Sequence, residues 1–260
     1  DGDRQLKQFN IGLGVNSRGI PVTGDIFDGN GADTTWNKEL ISEIRQRLPT
    51  DESIVYVADS KAVTSENLAR ASQQNLPLIS RLPGNYAAVD ELIDRAWEND
   101  NWEDIGSVAA REDAVSHDIQ SYTQTISGQQ LRCVVVKPST IDGRSEKRID
   151  KELDTTEENL EDAVEELSTR VFACERDAKQ ELKTWLNDHQ EECFEVEAEV
   201  VETEQKKSRD KPGRPPKDWE PYETVYKIAA SVQRDAAAIT TYKPRESCYV
   251  LVTSIEDAEE

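Results

Sequence analysis

The sequence predicts an α/β fold, and two observations indicate it. Residues 8–28 alternate apolar and other side chains on both sides of Asn16-Ser17-Arg18-Gly19, the pattern of a β-hairpin closed by a glycine-containing turn. After this hairpin, short β-branched segments alternate with segments that carry apolar residues at helical spacing. Such an alternation of strands and helices is typical of a layered α/β architecture.

The first part of the chain supplies this alternation. A helix is predicted over residues 36–48, with Asp33 or Thr34 as its N-cap. Residues 53–59 are apolar and β-branched, which predicts a strand buried in the middle of the sheet. The elements expected next are a helix over 65–75 capped by Ser65, a strand over 76–83 and a helix over 86–97.

The chain changes character near residue 106. Residues 121–139 predict a second hairpin about Ser127-Gly128, and a long acidic helix is expected after it. The apolar residues of this helix form one stripe: Ile149, Leu153, Leu160, Val164, Leu167 and Val171. A second helix is predicted after residues 172–177, and the two helices are expected to pack on neighbouring strands. The remaining predicted strands cover 193–205, 222–233 and 247–255.

The chain is strongly acidic, with 53 Asp and Glu against 31 Lys and Arg and a formal net charge of −22. A negative field of this size repels phosphate at low salt, but at molar salt the Debye length is only ~3 Å. We interpret the charge as a solvated surface suited to a very salty (halophilic) cytoplasm. An ordinary acidic protein is the alternative that composition leaves open.

Cysteine spacing and hydropathy predict the compartment. The four cysteines are far apart, without a Cys-x-x-Cys pair, which predicts buried free thiols in a reducing compartment: Cys133, Cys174, Cys193 and Cys248. No apolar run approaches membrane-spanning length, so a cytoplasmic protein without membrane contact is expected. The chain contains no Met and its first residue is Asp1, so we expect it to be part of a longer protein.

A series of motifs runs through most of the chain. The first motifs are Asp3, Arg4, Leu6, Lys7 and Gln8, then Gly19, Ile20 and Pro21, then Phe27, Gly29, Asn30 and Asp33. Residues 55–68 follow, with Asp59 at the tip of a predicted strand, and the later matches cover 128–139, 171–182, 213–215 and 245–254. In order and spacing these motifs resemble insertion-sequence transposases of the DDE superfamily.

The resemblance implies an RNase H-like mixed sheet with flanking helices, interrupted by an α+β insertion domain. The implied domains are a partial catalytic core over 1–105, an insertion over 106–247, and a strand returning towards the core over 248–260. It also implies DNA transposition, in which phosphodiester bonds are cut and joined. Three carboxylates then hold two Mg²⁺ (or Mn²⁺) ions for an in-line displacement at phosphorus.

Asp59 matches the second of these carboxylates, and the resemblance implies for it a catalytic and metal-binding role. Without the family, an Asp after a buried strand is more often a helix cap or a turn residue. Tyr242 and Arg245 have the first spacing of the signature for the third carboxylate, but Tyr249 stands where that signature has Glu. We therefore expect this chain to be a catalytically incomplete portion of such an enzyme.

The most basic stretch of the chain is residues 206–217. Its cations are Lys206, Lys207, Arg209, Lys211, Arg214 and Lys217, against the single acid Asp210. Residues 211–217 resemble an AT-hook, in which Gly-Arg-Pro lies in a narrow A·T-rich minor groove. The segment is predicted to bind DNA, and in a transposase this means the terminal repeats and the target. A soluble loop whose charges offset nearby acids is the alternative.

Two other functions remain possible on the sequence alone. One is a truncated remnant that binds DNA or a partner without catalysis. The other is an acidic interaction protein whose helical hairpin docks a partner. A homodimer is compatible with the transposase resemblance, but the sequence does not specify one.

Overall fold

The computed structural model describes residues 9–28, 33–47, 54–110, 114–207 and 220–255. The chain divides into two compact units. The first unit contains Asp1–Thr140 and Cys248–Glu260, and the second contains Ile141–Ser247.

Ten strands and six helices follow one another among the described residues. In chain order they are β1 (Phe9–Val15), β2 (Pro21–Asp28), α1 (Asp33–Arg47), β3 (Tyr56–Ala58), α2 (Ser65–Gln73), β4 (Leu78–Arg81), α3 (Ala87–Asn99), β5 (Glu103–Ser107), β6 (Ser116–Ile126), β7 (Gln129–Pro138), α4 (Gly143–Thr169), α5 (Glu175–Asp188), β8 (Phe194–Lys206), β9 (Tyr222–Arg234), α6 (Ala236–Ser247) and β10 (Tyr249–Thr253). The predicted mixture of strands and helices is confirmed.

The predicted first hairpin is confirmed as β1 and β2, which pair antiparallel from Phe9↔Asp28 onwards. The Asn16 side chain accepts hydrogen bonds from the N–H groups of Arg18 and Ile20, both at 3.0 Å. Gly19 has a φ of 74°, a left-handed conformation that glycine adopts without a steric penalty. The turn residues therefore fix the register of the hairpin.

A mixed sheet of six strands is the centre of the first unit, in the order β3-β4-β10-β7-β6-β5. β3 runs parallel to β4, and the other neighbours are antiparallel. Val135, Val250 and Val252 on the central strands are fully buried. They belong to one hydrophobic cluster with side chains from α1, α2 and α3. Burial of this apolar face is the main favourable contribution to the stability of the unit.

The placement of residues 53–59 in the middle of the sheet was wrong, because β3 is an edge strand. Tyr56 turns inward and is buried, whereas Val57 points away from the core and is 69% exposed. An apolar, β-branched strand fits either position, so composition alone did not distinguish an edge strand from a central one.

The second predicted hairpin is also confirmed, as β6 and β7. Its turn residues Ser127 and Gly128 both have positive φ, as a two-residue hairpin turn requires. This hairpin joins the six-stranded sheet and belongs to the first unit, whose first segment ends at Thr140. The chain returns to this unit at Cys248. The division into a catalytic core and an insertion domain at 105/106 and 247/248 stays a prediction.

Three local differences from the sequence analysis have simple causes. The N-cap of α2 is Thr64 and not Ser65, because the Thr64 hydroxyl accepts a hydrogen bond from the Asn67 N–H at 3.1 Å. β5 was not predicted because Ile105 is its single large apolar residue. α6 was also missed. It begins after Asp235, whose carboxylate accepts from the Ala237 and Ala238 N–H groups at 2.8 and 3.0 Å.

The second unit packs α4 and α5 against a two-stranded sheet of β8 and β9. The buried residues of α4 are Ile149, Leu153, Leu160 and Leu167, which confirms four of the six predicted stripe residues. Val164 is half-buried, and Val171 lies after the helix and is exposed. Leu167 shares a cluster with Trp185 of α5 and Ile228 of β9. α5 begins at Glu175, inside the segment that was expected to precede it.

None of the helices in the described part of the chain is long and apolar enough to cross a membrane. Of the four cysteines, Cys133, Cys193 and Cys248 are buried as predicted, but Cys174 is exposed. Cys174 is the N-cap residue of α5, a position that leaves its side chain near solvent.

Candidate functional site

Asp59 lies directly after β3, at the rim of the six-stranded sheet, and its side chain is exposed. Its carboxylate accepts a hydrogen bond from the Lys61 N–H at 3.2 Å. Its carbonyl accepts from the Ala62 N–H at 3.0 Å. Asp59 therefore caps the single 3-10 turn Ser60–Ala62, the local role that an Asp at the end of a strand commonly has.

The backbone of Asp59 is tied to the neighbouring strand. The hydroxyl of Ser80 on β4 donates a hydrogen bond to the Asp59 carbonyl at 2.7 Å, and Ser80 is buried. This contact fixes the end of β3, from which the carboxylate extends into solvent. The position thus combines a held backbone with an accessible charged group.

The charge of Asp59 affects the pKa of Tyr56, which lies three residues earlier in the chain, on β3. Burial and then the negative charge of Asp59 raise the pKa of Tyr56 to about 12. The Tyr56 hydroxyl donates a hydrogen bond to the Asn37 side chain at 2.6 Å. Tyr56 therefore remains protonated at any physiological pH.

The metal-binding role predicted for Asp59 needs further ligands. Among the residues that the structure describes, no three His, Cys, Asp or Glu side chains come together as a group that could hold a metal ion. The metal-binding and catalytic role of Asp59 therefore stays a prediction.

The second candidate site is the far end of the β8–β9 ribbon, which we call the arm tip: residues 204–207 and 220–224. The two strands pair along 13 residues each, from Phe194↔Arg234 to Lys206↔Tyr222. The Lys207 N–H then donates to the Pro221 carbonyl at 2.9 Å. The chain thus leaves the ribbon and returns to it at neighbouring positions.

Two of the six predicted DNA-binding residues lie among the described residues. Lys206 is exposed and Lys207 is half-buried, both at the arm tip. The other four lie outside the described residues: Arg209, Lys211, Arg214 and Lys217. They belong to the part of the chain between Lys207 and Pro221, two residues that are hydrogen-bonded to each other at the arm tip.

The position of α4 relative to the ribbon determines how far its acids lie from the arm tip. Arg234, at the base of the ribbon, contacts Asp154 and Glu157 of α4, each at 2.6 Å. Leu167, near the end of α4, packs with Ile228. From Ile228 to Tyr222 the strand advances six residues, or about 20 Å. The helix therefore ends well before the arm tip.

Several cations outside the arm tip are held by acids of the second unit. Hydrogen bonds to the carboxylates of Asp154 and Glu157 raise the pKa of Arg234. The ion-paired cations of this unit include Arg148, Arg170, Lys179, Arg234, Lys243 and Arg245. Each of these cations must leave a carboxylate before it can bind phosphate.

The sequence analysis missed acids that lie beside the basic segment. Glu202 and Glu204 are on the same face of β8 as Lys206, because side chains of one strand alternate between faces. Tyr222 lies directly opposite Lys206 and is exposed. The alternation in residues 193–205 could have identified this shared face once the register of the ribbon was known.

Comparisons with protein-family models, with curated proteins and with solved structures find no match to this chain. The resemblance to DDE transposases therefore rests on the motifs alone.

Proposed function

We propose that this chain is a DNA-binding portion of a DDE-type transposase and that the basic segment at the arm tip is its DNA contact. The observation that supports the proposal is that Lys207 and Pro221, between which most of this segment lies in the chain, are hydrogen-bonded to each other at the end of a paired ribbon. The segment itself has six cations and one acid in its sequence, within a chain of net charge −22.

The ribbon supports this proposal electrostatically. DNA approaching the body of the protein would meet a negative field, which opposes binding. At physiological ionic strength the Debye length is about 8 Å, whereas about 20 Å of strand separates Ile228, which packs with Leu167 of α4, from Tyr222. Phosphates at the arm tip are therefore largely screened from the acids of α4.

The chemistry of the segment suits the minor groove. Prolines pre-order its backbone, and Gly213 carries no side chain that would hinder approach to the groove floor. Arg214 would insert where the negative potential of an A·T-rich groove is concentrated, and the lysines would contact phosphates. This mode predicts a preference for A·T-rich duplex with modest sequence specificity.

The catalytic part of the proposal depends on Asp59. In an RNase H-like core, its exposed carboxylate at the rim of the sheet would be one of three ligands for two Mg²⁺ or Mn²⁺ ions. The described residues include no group of three side chains that could hold a metal ion. We therefore propose DNA binding for this chain alone, and strand cleavage and joining only for a complete transposase.

A DNA- or partner-binding protein without catalysis is the second candidate. Its support is that Asp59 already has a local structural role as the cap of the turn Ser60–Ala62. The two candidates differ in Mg²⁺-dependent strand cleavage by the complete protein. An Asp59→Asn variant that loses cleavage but keeps DNA binding would favour the enzyme.

DNA binding can be tested by fluorescence anisotropy with an A·T-rich duplex over a range of salt. Four substitutions by Gln, at Lys206, Lys207, Arg209 and Arg214, should weaken binding. If all four contact phosphate, the slope of log K against log[salt] should become less steep by about 3.6. Unchanged affinity and slope would refute the proposal.

A matched control removes four charges elsewhere in the same unit. Arg144, Lys147, Lys151 and Lys183 are exposed on α4 and α5, and their replacement by Gln gives the same change in net charge. The slope for this control should stay close to that of the parent chain. Equal effects of the two variants would mean that net charge and not the arm controls binding.

A further inference from the structure

One face of the β1–β2 hairpin is apolar and uncovered. Phe9, Ile11 and Leu13 alternate along β1 on this face, and Ile26 lies beside Ile11 in the register of the pair. These four side chains are between 54% and 68% exposed. Val15 and Val22, at the bulged end of the hairpin, are also more than half exposed.

The glycine opposite Leu13 enlarges this apolar face. A Cβ at Gly24 would lie 3.2 Å from Leu13 Cδ1, so the Leu13 side chain reaches across β2 at a position where any other residue would crowd it. A two-stranded sheet is marginally stable by itself in water. The hairpin would therefore gain stability from any surface that covered this face.

The charge of the hairpin distinguishes it from the rest of the chain. Residues 9–28 carry Arg18, Asp25 and Asp28, whereas the whole chain has a net charge of −22. Asp25 pairs with Gly12 and so lies on the opposite face, and Arg18 is in the turn. Asp28 pairs with Phe9 and is the one charged residue of the apolar face, at the end away from the turn. The centre of the face thus fits a surface that is equally apolar.

We propose that this face packs against the same face of a second copy of the chain and forms a twofold symmetric dimer. Two such ribbons would stack as a small β-sandwich, in which the apolar side chains of both copies interdigitate. Six side chains at roughly 100 Å² each give about 600 Å² per copy and about 1,200 Å² in total, the lower limit for a specific interface. The dimer is therefore expected to dissociate on dilution.

Net charge makes this association dependent on salt. At 0.01 M salt the Debye length is about 30 Å, so the repulsion between two copies of charge −22 is weakly screened. At 1 M the Debye length is about 3 Å, so the remaining charges are screened and the apolar ribbon faces can approach. The dimer should form at high salt and dissociate at low salt.

Sedimentation velocity at 0.01 M and 1 M NaCl and at two protein concentrations tests the proposal. We expect a monomer at 0.01 M and a concentration-dependent dimer at 1 M. The double variant Ile11→Thr/Ile26→Thr keeps β-branched residues in the strands but makes the centre of the face polar. It should remain monomeric at 1 M, with a dimer dissociation constant raised at least tenfold.

Val108→Thr is the matched control, since Val108 is 83% exposed and lies outside the hairpin. This variant should dimerise like the parent chain. A parent chain that stays monomeric at 1 M would overturn the proposal without any variant. A dimer that the double variant preserves, with unchanged circular dichroism, would overturn it as well. Neither result depends on DNA binding.

Discussion

Neutralising the two acids that share a face with Lys206 should strengthen DNA binding. In an extended strand, Glu204 lies about 7 Å and Glu202 about 13 Å from Lys206, measured along β8. A phosphate bound at Lys206 is repelled by both carboxylates. Screened Coulomb repulsion at these distances predicts about threefold tighter binding of a Glu202→Gln/Glu204→Gln variant at 0.01 M salt.

The gain should decrease as salt increases. It falls to less than twofold at 0.15 M and to a negligible value at 1 M, because the Debye length shrinks below the distance to Glu204. Anisotropy titrations of an A·T-rich duplex at the three salt concentrations measure this directly.

The control Glu158→Gln/Glu161→Gln removes the same charge from exposed positions on α4. Its effect on DNA affinity at 0.15 M should be clearly smaller than that of the arm variant. If the two variants have equal effects, or if the arm variant fails to bind more tightly at 0.01 M, the arm tip is not the DNA contact.

Three further predictions concern stability and reactivity. Leu167→Ala should destabilise the second unit by about 3–5 kcal/mol in urea unfolding, because it leaves a cavity beside Trp185 and Ile228; Val171→Ala, at an exposed site, should cost far less. Above pH 10 stability should fall as pH rises towards 12, measured as Tm, because the pKa of Tyr56 is about 12 when folded and near 10 when unfolded. An Asp59→Asn variant should lower that pKa in an absorbance titration. A thiol reagent should modify Cys174 rapidly in the native protein, while the buried Cys133, whose pKa burial raises to about 11, should react after unfolding.

Sequence patterns predicted the elements that have strong local signals. The hairpin turns at Asn16–Gly19 and Ser127-Gly128 were recognised because glycine at positive φ leaves a clear signature. The stripe of α4 was recognised because a single apolar face repeats over 27 residues. Weakly amphipathic or polar elements such as α6 and β5 lack such a pattern and were missed.

Long-range arrangement was harder to predict. The sheet order places β10 between β4 and β7, far apart in the chain, and no local pattern specifies such a neighbour. For the same reason β3 was expected in the middle of the sheet and lies at its edge. The RNase H-like core remains a prediction.

The candidate sites were partly accessible to sequence reasoning. The basic segment is visible as composition, but its anchoring at the end of a ribbon depends on the register of β8 and β9. Asp59 was identified through the family motif and, independently, as a cap residue, and its geometry agrees with the cap. Its ligand role depends on three-dimensional partners that a single sequence does not reveal.

The end of β7 and the start of β10 are neighbours in the sheet, since Tyr249 is paired to Val136. A short turn could therefore connect Pro138 to Tyr249 without disturbing any strand of the first unit. The intervening hundred or so residues can be gained, lost or exchanged in evolution at little cost to that sheet. A protein engineer could use the same junction to graft a different recognition module.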